Sequence, residues 1–111
     1  RPIALSISAK KKIKDCRKYL DNKIIKSEQP IYGINTGFGA LSTTQISKDK
    51  LAELQMNLLR SHAAGVGEPL EEEIVRGMMI LLVANLCRGH SGIRPKVAIC
   101  LAEMLNAGVT P

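Results

Sequence analysis

An all-α fold of about four helices and one long glycine-rich loop is what this sequence predicts, and three observations carry that expectation. Apolar residues recur at steps of three and four in separate segments, the spacing of a helix face. The composition is 45% hydrophobic but only 3% aromatic, with no Trp, one Phe and two Tyr. A core must therefore be built from Leu, Ile, Val, Met and Ala, the residues of packed helices. Between the first two periodic segments the pattern lapses for about twenty residues, long for an unstructured connection inside a compact domain. At 111 residues the chain, 1–111, fits one helical domain or a piece of one.

The first helix is expected from Leu5 to about Ile25, capped by Ser6 or Ser8. Ile13, Cys16, Leu20 and Ile24 share one side of it. Lys10, Lys11, Lys12, Lys14, Arg17, Lys18, Lys23 and Lys26 cover the other and hold most of the excess behind the net charge of +6. A basic balance invites a nucleic-acid reading. Lysines alternating with an apolar stripe describe a solvated helix face instead, and no aromatics are interleaved for base stacking. No nucleic-acid partner is expected. The rival reading, a basic helical interaction module for an acidic partner or nucleic acid, leaves the rest of the chain unexplained.

Ser47 is the expected N-cap of the second helix, whose stripe is Leu51, Leu54 and Leu58. His62 lies four residues beyond Leu58, so it should extend that stripe and point inward. Gly65 and Gly67 in "AAGVGEP" stop this helix and Pro69 can open the next. The third helix starts near Glu71, with Glu72 and Glu73 where negative charge complements the helix dipole. Its body, "IVRGMMILLVANLCRG", is apolar on nearly every side, which predicts burial against two or more neighbours. The strongly apolar run from Met78 to Leu86, interrupted by Asn85, falls far short of the roughly 20 residues that span a bilayer, so no membrane span is expected. Ser91-Gly92 breaks the helix. The fourth starts near Pro95, carries Val97, Leu101 and Leu105 at steps of four, and closes at Asn106 and Gly108. Cys16, Cys87 and Cys100 lie in helix-like patterns without CxxC spacing or a preceding signal peptide, which points to buried thiols in a reducing, cytoplasmic compartment. They form no metal cluster with His62 or His90.

The loop, about residues 27–46, contains "IYGINTGFG". Gly33, Gly37 and Gly39 each cost roughly 1 kcal/mol against Ala in a helix interior, so this run is a loop. They match neither GxxxxGK[ST] nor GxGxxG after a strand, so nucleotide binding gains little support. Tyr32 beside Gly33 is a candidate base, with Asn35, Thr36, Gly37, Phe38 and Gly39 supplying amide donors. A phenol acts as a base near neutral pH only where positive charge, a helix N-terminus or hydrogen bonds favour the phenolate, and spacing identifies no such partner. The bland reading is a buried phenol donating one hydrogen bond. His62, at a helix end near a glycine-rich turn, is either a satisfied core histidine or a ligand contact. His90 in "RGHSG" reads as structural or solvent-facing. Ser61 shows no nucleophile-elbow signature.

The blocks "YGINTGFGALSTTQIS", "LQMNLLRSHAAGVGEPL" and "VRGMMILLVANLCRGHSGIR", in this order and at these separations, resemble the N-terminal part of the histidine ammonia-lyases, within the aromatic amino acid ammonia-lyase family. The resemblance runs from about Ile31 to Pro111 and is looser before Ile31. It implies an enzyme that converts L-histidine to trans-urocanate in histidine catabolism, without a diffusible cofactor or metal. The electrophile of the family is a methylidene-imidazolone formed from an internal Ala-Ser-Gly. Tyr32 matches the tyrosine taken as the base for the β-proton, and His62, in the Ser61-His62 pair, the histidine that contacts the substrate side chain. Phenylalanine members resemble Phe-Leu at that pair and tyrosine members His-Leu, so Ser61-His62 looks like the histidine type. The glycines of the loop would let it close over the substrate. The 111 residues hold no Ala-Ser-Gly, so the resemblance implies an N-terminal piece, inactive alone, of an enzyme that is a homotetramer in the family. A phenylalanine or tyrosine ammonia-lyase, or an aminomutase, is the alternative.

Overall fold

The computed structural model describes residues 2–26 and 29–111. Ser27 and Glu28, the first residues of the expected loop, lie outside the described residues. Among the described residues there are four helices, α1 (Ile7–Lys26), α2 (Leu51–His62), α3 (Glu72–Leu86) and α4 (Pro95–Asn106), with single 3-10 turns at Gly39–Leu41 and Lys48–Lys50. Among the described residues the only extended pairing is an isolated antiparallel bridge between Thr36 and Gln45. The all-α expectation holds. The chain divides into two compact units, Arg1–Ile25 with Pro69–Pro111, and Lys26–Glu68.

The first unit packs α1 with α3 and α4. Of the two serines expected to cap α1, Ser6 does so: its Oγ accepts the Ala9 amide at 3.1 Å, a bond whose loss costs about 1 kcal/mol. Ile13, 1% exposed, is the buried anchor of α1 and meets Leu86 and Ala98, with Leu5, Cys87, Ile93 and Leu101 around them. A second cluster joins Met79 and Val83 of α3 to Leu105 of α4. The lysines of α1 are exposed, as its apolar stripe requires. Ile3 and Asn106 clasp the ends of this unit: the Ile3 amide donates to Asn106 Oδ1 at 2.7 Å, and Asn106 Nδ2 donates to the Ile3 carbonyl at 2.8 Å. Arg17 donates to the Gly92 carbonyl at 3.2 Å and pairs with Asp21. The hydrogen bond from Arg17 holds the Asp21 carboxyl below the usual carboxylate range, aided by the charges of Arg17 and Arg94 and opposed by partial desolvation.

Three expectations need correction here. α3 buries a single row, Met79, Val83 and Leu86, because only one of its sides has a neighbour in this unit. Ile74, Met78 and Leu81, spaced four and three apart, remain 51%, 58% and 72% exposed. On α4 the buried row is Ala98, Ala102 and Leu105 rather than Val97, Leu101 and Leu105, because small residues let the neighbouring side chains seat against the helix. Leu101 is half-buried and Val97 exposed. The thiols are not buried: Cys16 and Cys87 are half-buried, Cys100 is exposed, and all three are free. Cys100 lies two residues from both Ala98 and Ala102, which turns it about 200° from each around the helix.

The second unit holds the loop and α2. Ser47 precedes a 3-10 turn, its carbonyl accepting the Lys50 amide at 2.9 Å, and α2 begins only at Leu51, without a side-chain cap at Lys50. Leu51, Leu54 and Leu58 are half-buried and α2 has no buried residue. No helix among the described residues is long and apolar enough to cross a membrane.

Candidate functional site

The loop is tied to itself. Around the Thr36–Gln45 bridge, the Gly37 amide donates to the Thr44 carbonyl at 3.0 Å and the Ile46 amide to the Asn35 carbonyl at 2.8 Å. Asn35, 6% exposed, uses its side chain twice: Oδ1 accepts the Ile31 amide at 2.6 Å and Nδ2 donates to the Gln29 carbonyl at 3.2 Å. Thr36 is fully buried and donates its hydroxyl to the Gly37 carbonyl at 3.0 Å. Asn35 and Thr36 therefore staple the loop. Since the amides of Asn35 and Gly37 are engaged within it, they are not the outward donors that the sequence led us to expect. Gly37 is required by a close approach: a Cβ there would lie 2.6 Å from Leu41 Cβ and 2.8 Å from the Leu41 carbonyl oxygen.

This framework carries Tyr32 outward. The phenol is 64% exposed, so the reading of a buried hydrogen-bonded tyrosine is set aside. Gly33, at φ +72°, takes the left-handed conformation that turns the chain just after it. Phe38 packs edge-on against the tyrosine ring, centroids 6.1 Å apart and planes at 73°, a favoured geometry for an aromatic pair. Gly39 opens the following 3-10 turn.

His62 is exposed at the C-terminal end of α2, contrary to the expected inward orientation. α2 packs nothing over its last turn within the described residues, so continuation of the apolar stripe does not enforce burial. The imidazole is nonetheless held. His62 Nδ1 lies 2.8 Å from Ser61 Oγ and 3.1 Å from the Leu58 carbonyl oxygen, and Ser61 Oγ donates to the same carbonyl at 3.0 Å. The loop and this pair belong to the same unit. Leu58 was not singled out from sequence as a polar contributor, although carbonyls three and four residues back are where a Ser and a His near a helix end find acceptors.

Elsewhere, in the first unit, Lys12, Asp15, Cys16, Tyr19, Arg88, Gly89 and His90 line an open cleft of about 420 Å³. His90 is exposed there, in keeping with its solvent-facing reading. Among the described residues no group of His, Cys, Asp and Glu could hold a metal ion.

The aromatic amino acid lyase family matches the chain over residues 1–111. The chain belongs to this family. It is 51% identical over 109 residues to the histidine ammonia-lyase of Treponema denticola, covering 98% of this chain and 21% of that protein. The crystal structure of histidine ammonia-lyase from Trypanosoma cruzi matches with a TM-score of 0.83 and 44% identity, over 99% of this chain and 21% of the other. Tyrosine aminomutase from Streptomyces globisporus matches with a TM-score of 0.87 and 38% identity, over 96% of this chain and 20% of the other. The chain thus spans about a fifth of the length of the relatives it matches. The backbone of this chain is thus similar both to a histidine ammonia-lyase and to a tyrosine aminomutase.

Proposed function

We propose that the protein carrying this chain is a histidine ammonia-lyase that eliminates ammonia from L-histidine to give trans-urocanate. The observation that carries the reading is the Ser61-His62 pair, a polar pair fixed at the end of α2 by the Leu58 carbonyl. A buried imidazole needs hydrogen-bond partners, and a polar pair provides one where an apolar pair cannot. Identity with histidine ammonia-lyases of two distant organisms supports it.

In this reading Tyr32 removes the β-proton as the bond from the α-carbon to the amine breaks and the double bond forms. Its exposure on a self-tied loop suits a phenol delivered to a substrate, with Gly33 and Phe38 setting its direction. The elimination also needs an electrophile to take the amine, which in the family is methylidene-imidazolone. Its Ala-Ser-Gly precursor does not occur in the 111 residues, so these residues cannot form it and the chain alone is expected to be inactive. A homotetramer and a cytoplasmic location belong to the same reading. The likeness to tyrosine aminomutase favours a second one, an aminomutase, against which the Ser61-His62 pair weighs.

The test is Tyr32→Phe in the full-length protein. Loss of the base should lower kcat for urocanate formation at least a hundredfold with KM changed only a few-fold. Retention of a tenth or more of the activity would remove Tyr32 from the role of base.

A further inference from the structure

Three atoms meet at the end of α2 in a triangle whose sides are 2.8, 3.0 and 3.1 Å: Ser61 Oγ, His62 Nδ1 and the Leu58 carbonyl oxygen. The carbonyl can only accept, so the protons must come from the other two. If Nδ1 carried no proton, the serine hydroxyl could satisfy one partner at a time. Nδ1 and the carbonyl oxygen would then face each other as two acceptors at 3.1 Å. If Nδ1 carries the proton, every side of the triangle is attractive: Nδ1–H donates to Ser61 Oγ and toward the carbonyl, and the serine hydroxyl donates to the carbonyl. The second arrangement wins because it leaves no pair of lone pairs opposed.

We propose that Ser61 is a positioning residue: with the Leu58 carbonyl it fixes His62 as the Nδ1–H tautomer, leaving Nε2 as an exposed acceptor for an N–H or O–H donor of the ligand. The tautomer of a histidine is set by the hydrogen bond its other nitrogen makes, and here that partner comes from the same helix. Among the described residues nothing takes Nε2, and His62 is exposed. The ligand is then one whose ring presents an N–H or O–H donor. Identifying that ring as the imidazole of L-histidine rests on the function proposed above; the tautomer does not. A ring with neither an N–H nor an O–H would leave Nε2 unpaired when it is covered, which gives the pair a means of discrimination. Ser61 thereby contributes to substrate choice through His62.

The experiment reads the proton directly. In this chain labelled with 15N-histidine, long-range proton–nitrogen correlations at a pH where the imidazole is neutral report the tautomer, and His62→Gln assigns the signals against His90. Wild type is expected as Nδ1–H. Ser61→Ala leaves the Leu58 carbonyl as the sole partner of Nδ1 and should shift part of the population to the Nε2–H form that free histidine side chains prefer, and Ser61→Thr should restore Nδ1–H, since a threonine hydroxyl in a helix reaches the same carbonyls. In the full-length protein, Ser61→Ala should raise KM for L-histidine about tenfold, with Thr restoring it. An Nε2–H wild type, or a Ser61→Ala variant still fully Nδ1–H, would overturn the proposal. Full-length protein inert toward L-histidine but with the tautomers as stated would overturn the functional reading and uphold the positioning role.

Discussion

Replacing Asn35 by Ala removes both side-chain bonds that close the start of the loop. The Ile31 amide loses an acceptor at 2.6 Å and the Gln29 carbonyl a donor at 3.2 Å. A buried group left unpaired costs roughly 1 to 3 kcal/mol. Gln29 is exposed and Ile31 only half-buried, so water repairs part of this and the net loss should be about 2 kcal/mol. It falls on the loop, so the equilibrium for local opening should rise roughly thirtyfold. The amides of Gly37 and Ile46, which bond the Thr44 and Asn35 carbonyls, are the reporters, and amides of α3 are the reference. Their exchange in Asn35→Ala should accelerate by that factor while α3 is unchanged. Asn35→Asp keeps the acceptor and loses only the donor, so it should fall between. Exchange at Gly37 and Ile46 within threefold of wild type would refute the argument that Asn35 holds the loop.

Two further outcomes follow from the packing. Gly37→Ala should open the Thr36–Gln45 bridge at least tenfold more often, because its Cβ meets the Leu41 Cβ and carbonyl, whereas Gly65→Ala, with nothing within 4 Å, should not affect the bridge; equal effects in amide exchange would contradict this. Ile13→Ala, at 1% exposure between Leu86 and Ala98, should cost about 2 to 5 kcal/mol in urea unfolding, and a loss under about 1 kcal/mol would place the core of the first unit elsewhere.

The helices were legible because periodicity is a local property. Ile13 could be assigned to a buried face from its neighbours Cys16 and Leu20 alone, and the cap narrowed to Ser6 or Ser8, between which only the structure decides. Burial was less legible because it depends on what lies opposite. Ile74, Met78 and Leu81 have the pattern of a core and are exposed, and His62 continues a stripe that nothing covers at its end. The same limit explains Cys100, whose apolar neighbourhood in sequence says nothing of the face it occupies. In the site, the glycines marked the loop and drew attention to Tyr32, but not the division of labour within it. That Asn35 and Thr36 look inward while Tyr32 looks outward follows from the pairing of Thr36 with Gln45, a contact nine positions apart that no local pattern encodes. The Leu58 carbonyl was within reach of sequence reasoning, since helical geometry puts it beside both Ser61 and His62.

The proposed function meets its most direct test in the full-length protein that carries this chain, incubated separately with L-histidine, L-phenylalanine and L-tyrosine while the ultraviolet absorbance of a conjugated acid is followed. The account predicts growth of the urocanate band with L-histidine alone. A conjugated product from L-phenylalanine or L-tyrosine, with none from L-histidine, would keep the family and contradict the assignment made from Ser61 and His62.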